Sequence, residues 1–162
     1  MHARFRQIPK RQDEDLLHDV ARLMRKRFEQ NARGGLRLTR SQCSVLAHLS
    51  RHEGIQQGGL AEILEVEPIT LTRILDRLEE ADLVERRAHP KDRRIRLLHL
   101  TPKAHPLLGE IFAIGAATRG EALEGVAEAD RDHLFAILST MKANLLTKAA
   151  TGTSGDRRAS HG

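Results

Sequence analysis

The residues best equipped for chemistry in this chain are cations in two short stretches. One is "PITLTRILDR", where Ile69, Thr70 and Thr72 precede and flank Arg73 and Arg77; the other is "HPKDRR" at 89–94, where Lys91, Arg93 and Arg94 crowd around Asp92. Guanidinium groups present planar donor forks that match phosphate and the edge of guanine. A solvated turn needs polarity, but not this much charge of one sign. The formal net charge of +5 over 162 residues favours an anionic partner. With no Trp, no Tyr and four Phe, the chain lacks the aromatic platform on which single strands stack. Duplex recognition through phosphates and groove edges is what remains.

Other reactive residue types are poorly placed. Cys43 is the one cysteine, so no intramolecular disulfide framework exists. A buried, inert thiol is the better reading of it than a redox sensor. His48 and His52 stand four apart, but zinc needs more ligands, so two exposed histidines are expected and no metal or other cofactor. The patterns HExxH, GxSxG and the P-loop glycines are all missing, which leaves an enzyme reading without residues. Apolar residues make up 40% of the chain, enough to fold, yet no apolar run would span a bilayer. The basic start "MHARFRQIPKRQDEDLL" lacks the apolar stretch of a signal peptide, so a cytoplasmic protein with no membrane partner is expected.

The elements that must position the cations follow from periodicity. Leu16, Val20, Leu23, Met24 and Phe28 predict a helix from Gln12 to about Ala32, stopped by Gly34-Gly35. Thr39 and Gln42 form a capping box for a second helix with Val45, Leu46 and Leu49 inward. A short third helix covers about Gln57–Leu64, with Leu60, Ile63 and Leu64 inward. Pro68 suits the first position of a fourth, reaching about Ala81. Its Leu71, Ile74, Leu75 and Leu78 share one face; Ile69, Thr72, Arg73, Asp76 and Arg77 take the other. "LVERR" and "RIRLLHL" read as strands around the turn at Pro90. Thr101 is the expected cap of a fifth helix, with Pro102 in its first position. A sixth runs from about Glu128 to Lys148 with Leu134, Ile137, Leu138, Met141 and Leu145 as its stripe, and the tail beyond is expected to be unordered.

Two short helices joined by a tight turn, then a charged hairpin, make a winged helix-turn-helix. The second helix of such a pair enters the major groove of duplex DNA. Ile69 can meet a thymine methyl, Thr70 and Thr72 a phosphate or base, and Arg73 a guanine. The hairpin tip then faces the adjacent minor groove, whose negative potential attracts arginine. Asp92 would be repelled there, so its role is internal: pinning an arginine or capping the turn. Residue by residue a solvated face is the better explanation of these charges; taken together with the wing it is clearly the poorer one.

The stretch "LAEILEVEPITLTRILDRLEEADLVERRAHPKDRRIRLLHLTPKA" resembles the core of the MarR family of transcriptional regulators, nearest its SlyA-type branch. The pattern Asp-x-Arg before a strand ending Leu-Thr is present as Asp92, Arg94 and Leu100-Thr101, and "DVARLMR" and "TRGEALEGV" extend the likeness over about residues 15–148. The resemblance implies a mainly α fold with a small β-hairpin wing. Its winged helix-turn-helix would cover 38–101, its helical dimerisation region 12–37 and 102–148, with flexible tails at 1–11 and 149–162. It further implies a homodimer on a pseudo-palindromic double-stranded operator, with Arg73 in the major groove and Arg93 or, by its place in the pattern, Arg94 in the minor groove. A small phenolic or aromatic carboxylate effector would sit near His18, Arg22, Arg25, Cys43 and Ala47. For Arg22 and Arg25, surface or interface arginines are an equally good reading. Three positions depart from the family: Glu65 stands where glycine often allows a left-handed turn, implying a looser turn, Ala127 where Ser or Asp often caps, and Cys43 where relatives often have an aromatic residue. The reading from another class is a winged-helix adaptor between proteins that no longer binds DNA; Arg73, Arg77, Arg93 and Arg94 argue against it.

Overall fold

The computed structural model describes residues 13–155. The expected helix start at Gln12 and the tails at 1–11 and 156–162 lie outside the described residues. The elements run α1 (Asp13–Ala32), α2 (Arg40–Leu49), β1 (Ile55–Gln56), α3 (Gln57–Leu64), α4 (Pro68–Glu80), β2 (Val84–Ala88), β3 (Arg96–Leu100), α5 (Ala104–Ala122) and α6 (Glu128–Gly155). This is the expected mainly α fold with a small β wing. Two compact units make up the chain, Met1–Ala122 and Leu123–Gly162.

The core of the first unit is leucine-rich. Leu46, Leu49, Leu60, Leu71, Leu75, Leu78 and Leu98 have no exposed surface, and Val45 and Val84 are nearly as enclosed. Each such side chain removed from water contributes about 1.5–3 kcal/mol. Thr39 caps α2 as expected: its Oγ1 accepts from Gln42 N at 3.2 Å, and Gln42 Oε1 accepts from Thr39 N at 2.8 Å. The strand Ile55–Gln56 was not foreseen; two residues are too few to show a period. It completes a three-stranded antiparallel sheet in the order β1-β3-β2, with Ile55 opposite Leu98 and Arg86 also opposite Leu98 on the other side. Gly54 enters this strand at φ +80°, its N–H donating to Leu98 O at 2.8 Å.

Three expectations are corrected. Ile63 is exposed and Ala61 takes the inward place on α3, because a helix this short buries only one narrow stripe. Thr101 does not cap α5. Its buried hydroxyl donates to Asp82 O at 2.7 Å, tying the end of β3 to the turn after α4, and the helix begins at Ala104 instead. In the second unit α6 continues past Lys148 to Gly155. Ala149 and Ala150 are strong helix formers and no proline interrupts the run. The start of α6 has no side-chain cap at Ala127. Arg131 reaches back from the first turn to the carbonyls of Val126 and Leu123, at 2.8 and 2.9 Å.

Candidate nucleic-acid interface

The turn between α3 and α4 is tight despite lacking glycine. Glu65 adopts φ 52°, ψ 44°, and Val66 N donates back to Ala61 O at 3.1 Å, closing the end of α3. The looser turn implied by glutamate at this position is therefore not found. The chain accepts a left-handed residue at a cost of about 1–2 kcal/mol. Pro68 then occupies the first turn of α4, where its missing N–H would have had no partner.

Helix α4 divides into two faces. Leu71, Leu75 and Leu78 are buried, while Ile69, Arg73 and Arg77 project to solvent, Ile69 with 61% of its surface exposed. Neither arginine has a hydrogen-bond or ion-pair partner among the described residues. Thr72 departs from the sequence expectation. It is half-buried, its hydroxyl donates to Pro68 O at 2.9 Å, and it accepts from Gln57 Nε2 at 2.6 Å. It therefore joins α3 to α4, a task periodicity alone does not reveal because its partner lies fifteen residues away. Thr70 is exposed and borders a groove with Arg25, Arg40, Ser44 and Ile74.

The wing tip is built by Asp92. Its Oδ1 accepts from Arg94 N at 3.0 Å and its carbonyl from Ile95 N at 3.0 Å, while His89 N donates to Ile95 O at 2.9 Å and Lys91 N to His89 Nδ1 at 3.1 Å. Of the two internal roles, Asp92 caps the turn and pins no arginine side chain. Arg93 and Arg94 stand exposed with no partner among the described residues. The base of the wing is fixed to the end of α4: Lys103 Nζ donates to Ala81 O at 2.8 Å, where a cation also suits the negative end of the helix. Arg86 of β2 reaches both Asp76 and Glu79 of α4, a contact sequence reasoning passed over. Strand alternation held the clue, since Arg86 must share a face with the buried Val84.

Residues 38–95 match the family model described as "MarR family". The transcriptional regulator PA3341 is 36% identical over 83% of this chain and 98% of its own, with a TM-score of 0.72. The chain belongs to the MarR family. The transcriptional regulator SlyA is 26% identical over 81% of this chain and 94% of its own, with a TM-score of 0.70. CouR, a transcriptional repressor solved bound to a 23-mer DNA duplex, is 27% identical over 78% of this chain and 89% of its own, with a TM-score of 0.69. Membership of the MarR family accounts for the winged helix found here. No helix among the described residues is long and apolar enough to cross a membrane.

This MarR-family chain also carries a cleft of about 340 Å³ between α1, α2 and α5, lined by Arg25, Phe28, Arg40, Cys43, Ala47 and His48 among others. Of the expected effector residues, the structure brings Arg25, Cys43 and Ala47 together there. His18 is exposed elsewhere on α1, and Arg22 pairs with Asp19 at 3.1 Å; neither lines the cleft. Arg40, which sequence reasoning missed, adds a second cation, itself paired with Glu29 at 3.1 Å. Burial pushes the Cys43 thiol up to about 11, so it stays protonated at neutral pH. His48 and His52 each turn Nδ1 to a carbonyl four residues back, at 2.8 and 2.9 Å.

Proposed function

We propose that this protein is a transcriptional regulator that binds double-stranded DNA sequence-specifically as a homodimer. The observation that carries the reading is the set Arg73, Arg77, Arg93 and Arg94: exposed on one helix face and one wing tip, and without a partner among the described residues. Arg73 reads a base edge with Ile69 beside it, Arg77 and Thr70 meet the backbone, and Arg94 or Arg93 enters the minor groove from a tip held by Asp92. Thr72 contributes by holding α4 against α3. CouR, solved on a DNA duplex, supports this, as does a mutant MarR from E. coli solved with operator DNA. Residues 38–101 form the DNA-binding part, and 12–37 with 102–148 the dimerisation part. In support of pairing, Leu16, Leu17, Val20 and Leu23 of α1 and Leu138, Met141 and Leu145 of α6 are exposed apolar side chains. The segments "DVARLMR" and "TRGEALEGV" favour the SlyA-like branch.

The effector is a small aromatic carboxylate in the cleft, its ring on Phe28 and Ala47 and its anion near Arg25. An apolar lining with one or two cations suits an amphiphilic anion. The test of DNA binding is selection from a random duplex pool. Wild type should enrich a pseudo-palindrome with half-sites about one turn, roughly 34 Å, apart. Arg73→Ala should cost about 1–3 kcal/mol at one base position and relax specificity there. Losses blind to sequence would refute the assignment of Arg73. Calorimetry with salicylate on wild type and Arg25→Ala, with and without the selected duplex, tests the effector. Equal affinity for free and DNA-bound protein would refute coupling between the two ligands.

A further inference from the structure

We infer that Arg86 is a positioning residue for DNA recognition, clamping the wing to the recognition helix so that the two read DNA as one rigid element. The inference rests on the DNA-binding reading and extends it to a residue that would touch no base. Arg86 sits mid-strand in β2, opposite Leu98, on the face of the strand that also carries the buried Val84. That face points at α4. One guanidinium nitrogen, Nη2, donates to Asp76 Oδ1 at 2.7 Å, and Nη1 donates to Glu79 Oε2. Asp76 and Glu79 lie three apart on α4, so their carboxylates stack on one flank and a single planar fork spans both.

Exposure of the arginine, though not of its acids Asp76 and Glu79, separates this contact from the other ion pairs among the described residues. Arg86 has 19% of its side chain exposed, against 44–57% for the paired arginines Arg22, Arg27, Arg40 and Arg87. Exposed pairs hold long side chains weakly, whereas a part-buried fork with two acceptors has one geometry. The clamp lies between the two cationic groups of the interface. Arg73 and Arg77 are on α4, which carries the acids; Arg93 and Arg94 are on the hairpin, of which β2 is one arm. The angle between helix and wing therefore passes through Arg86. The clamp also shields charge. Asp76 and Glu79 sit on the helix that would enter the groove, where bare carboxylates would repel phosphate, and Arg86 neutralises one of the two charges in place.

The consequence is a selective loss. Releasing the wing should remove minor-groove readout while the recognition helix keeps its own. The probe is the duplex that the wild-type protein selects from a random pool, made in two further forms: one with A·T base pairs in the flanks replaced by G·C, one with a single core base pair changed. In wild type both changes should weaken binding, the core change about tenfold. In Arg86→Gln the flank change should have no effect, a ratio of about one, while the core change still costs about tenfold. Glu79→Gln keeps the shape of an exposed side chain and leaves Asp76 in place; its flank ratio should fall between the two. Arg86→Lys keeps the charge but not the fork and should lose most of the flank preference. If Arg86→Gln retains the wild-type flank ratio, or loses flank and core readout equally, the clamp is refuted. Should Arg86→Gln fail to fold, the same criteria apply to Glu79→Gln, where an unchanged flank ratio refutes it. If wild type selects no sequence, the DNA-binding reading falls and takes the clamp with it.

Discussion

Helices α4 and α6 both carry apolar residues at three- and four-residue steps, yet they end in opposite conditions. In α4 the apolar stripe is used up within its own unit: Leu71, Leu75 and Leu78 have no exposed surface. What remains outside is Ile69, Thr70, Arg73 and Arg77, with the acids Asp76, Glu79 and Glu80 beside them. In α6 the apolar side chains stay open, with Leu138 36%, Ile137 47% and Leu145 68% exposed. The difference teaches that one pattern has two physical outcomes. A stripe that finds partners in its own chain frees the opposite face for a ligand. A stripe that does not is itself the surface that asks for a partner, and on the dimer reading that partner is a second copy.

The comparison can be broken most forcefully in the core. Leu75→Ala should destabilise the fold by about 2–5 kcal/mol, because a fully enclosed leucine leaves a cavity as well as losing its burial. Chemical denaturation measures it, and a loss below 1 kcal/mol would mean that the α4 stripe is not the core element described. Next in size, the pair Leu138→Glu and Leu145→Glu on α6 should leave the thermal unfolding of the winged helix nearly unchanged. The same pair should convert a dimer to a monomer in sedimentation. A dimer that persists would place the interface elsewhere than on α6.

A finer contrast lies between the two non-glycine residues with left-handed backbone among the described residues. Glu65 and Asp82 both have positive φ, 52° and 58°. Among non-glycine residues, aspartate enters that conformation more readily than glutamate. Glu65→Gly should stabilise by about 0.5–1 kcal/mol, the relief of strain less the greater freedom of glycine in the unfolded chain. Asp82→Gly should gain less. A larger gain at Asp82 would reverse the assignment of strain.

The smallest effect concerns Cys43. Its thiol is held above the ordinary value of 9.0, at about 11, by burial. The folded state thus favours the protonated form. This contribution to stability is complete below pH 9 and is lost as pH rises through about 11. At pH 8 a disulfide reagent should label native protein slowly and denatured protein fast. Equal rates would show that the thiol is not enclosed.

Local rules made much of this molecule legible in advance. The Thr39–Gln42 box, Pro68 at the head of α4 and the leucine spacing of α4 each depend on residues within one or two turns, so their partners are visible in the sequence. The hairpin and its tip were legible for the same reason, since Asp92 caps a turn only two residues away. Elsewhere local reading failed in a consistent way. Thr101 has the chemistry of a cap, but Asp82 O, nineteen residues away, took its hydroxyl. Thr72 belongs by period to the outer face, but Gln57 drew it inward. Glu65 ought to loosen its turn, yet the packing of α3 on α4 imposes the left-handed form. His18 and Arg22 looked like neighbours of Arg25, but the facing helices α2 and α5 decide which side of α1 lines the cleft. The cationic surface was thus determined by residue type and period, which act locally. Which polar groups are left free to use it, and the Arg86 contact between helix and wing, were decided only when tertiary packing brought distant partners within hydrogen-bond reach.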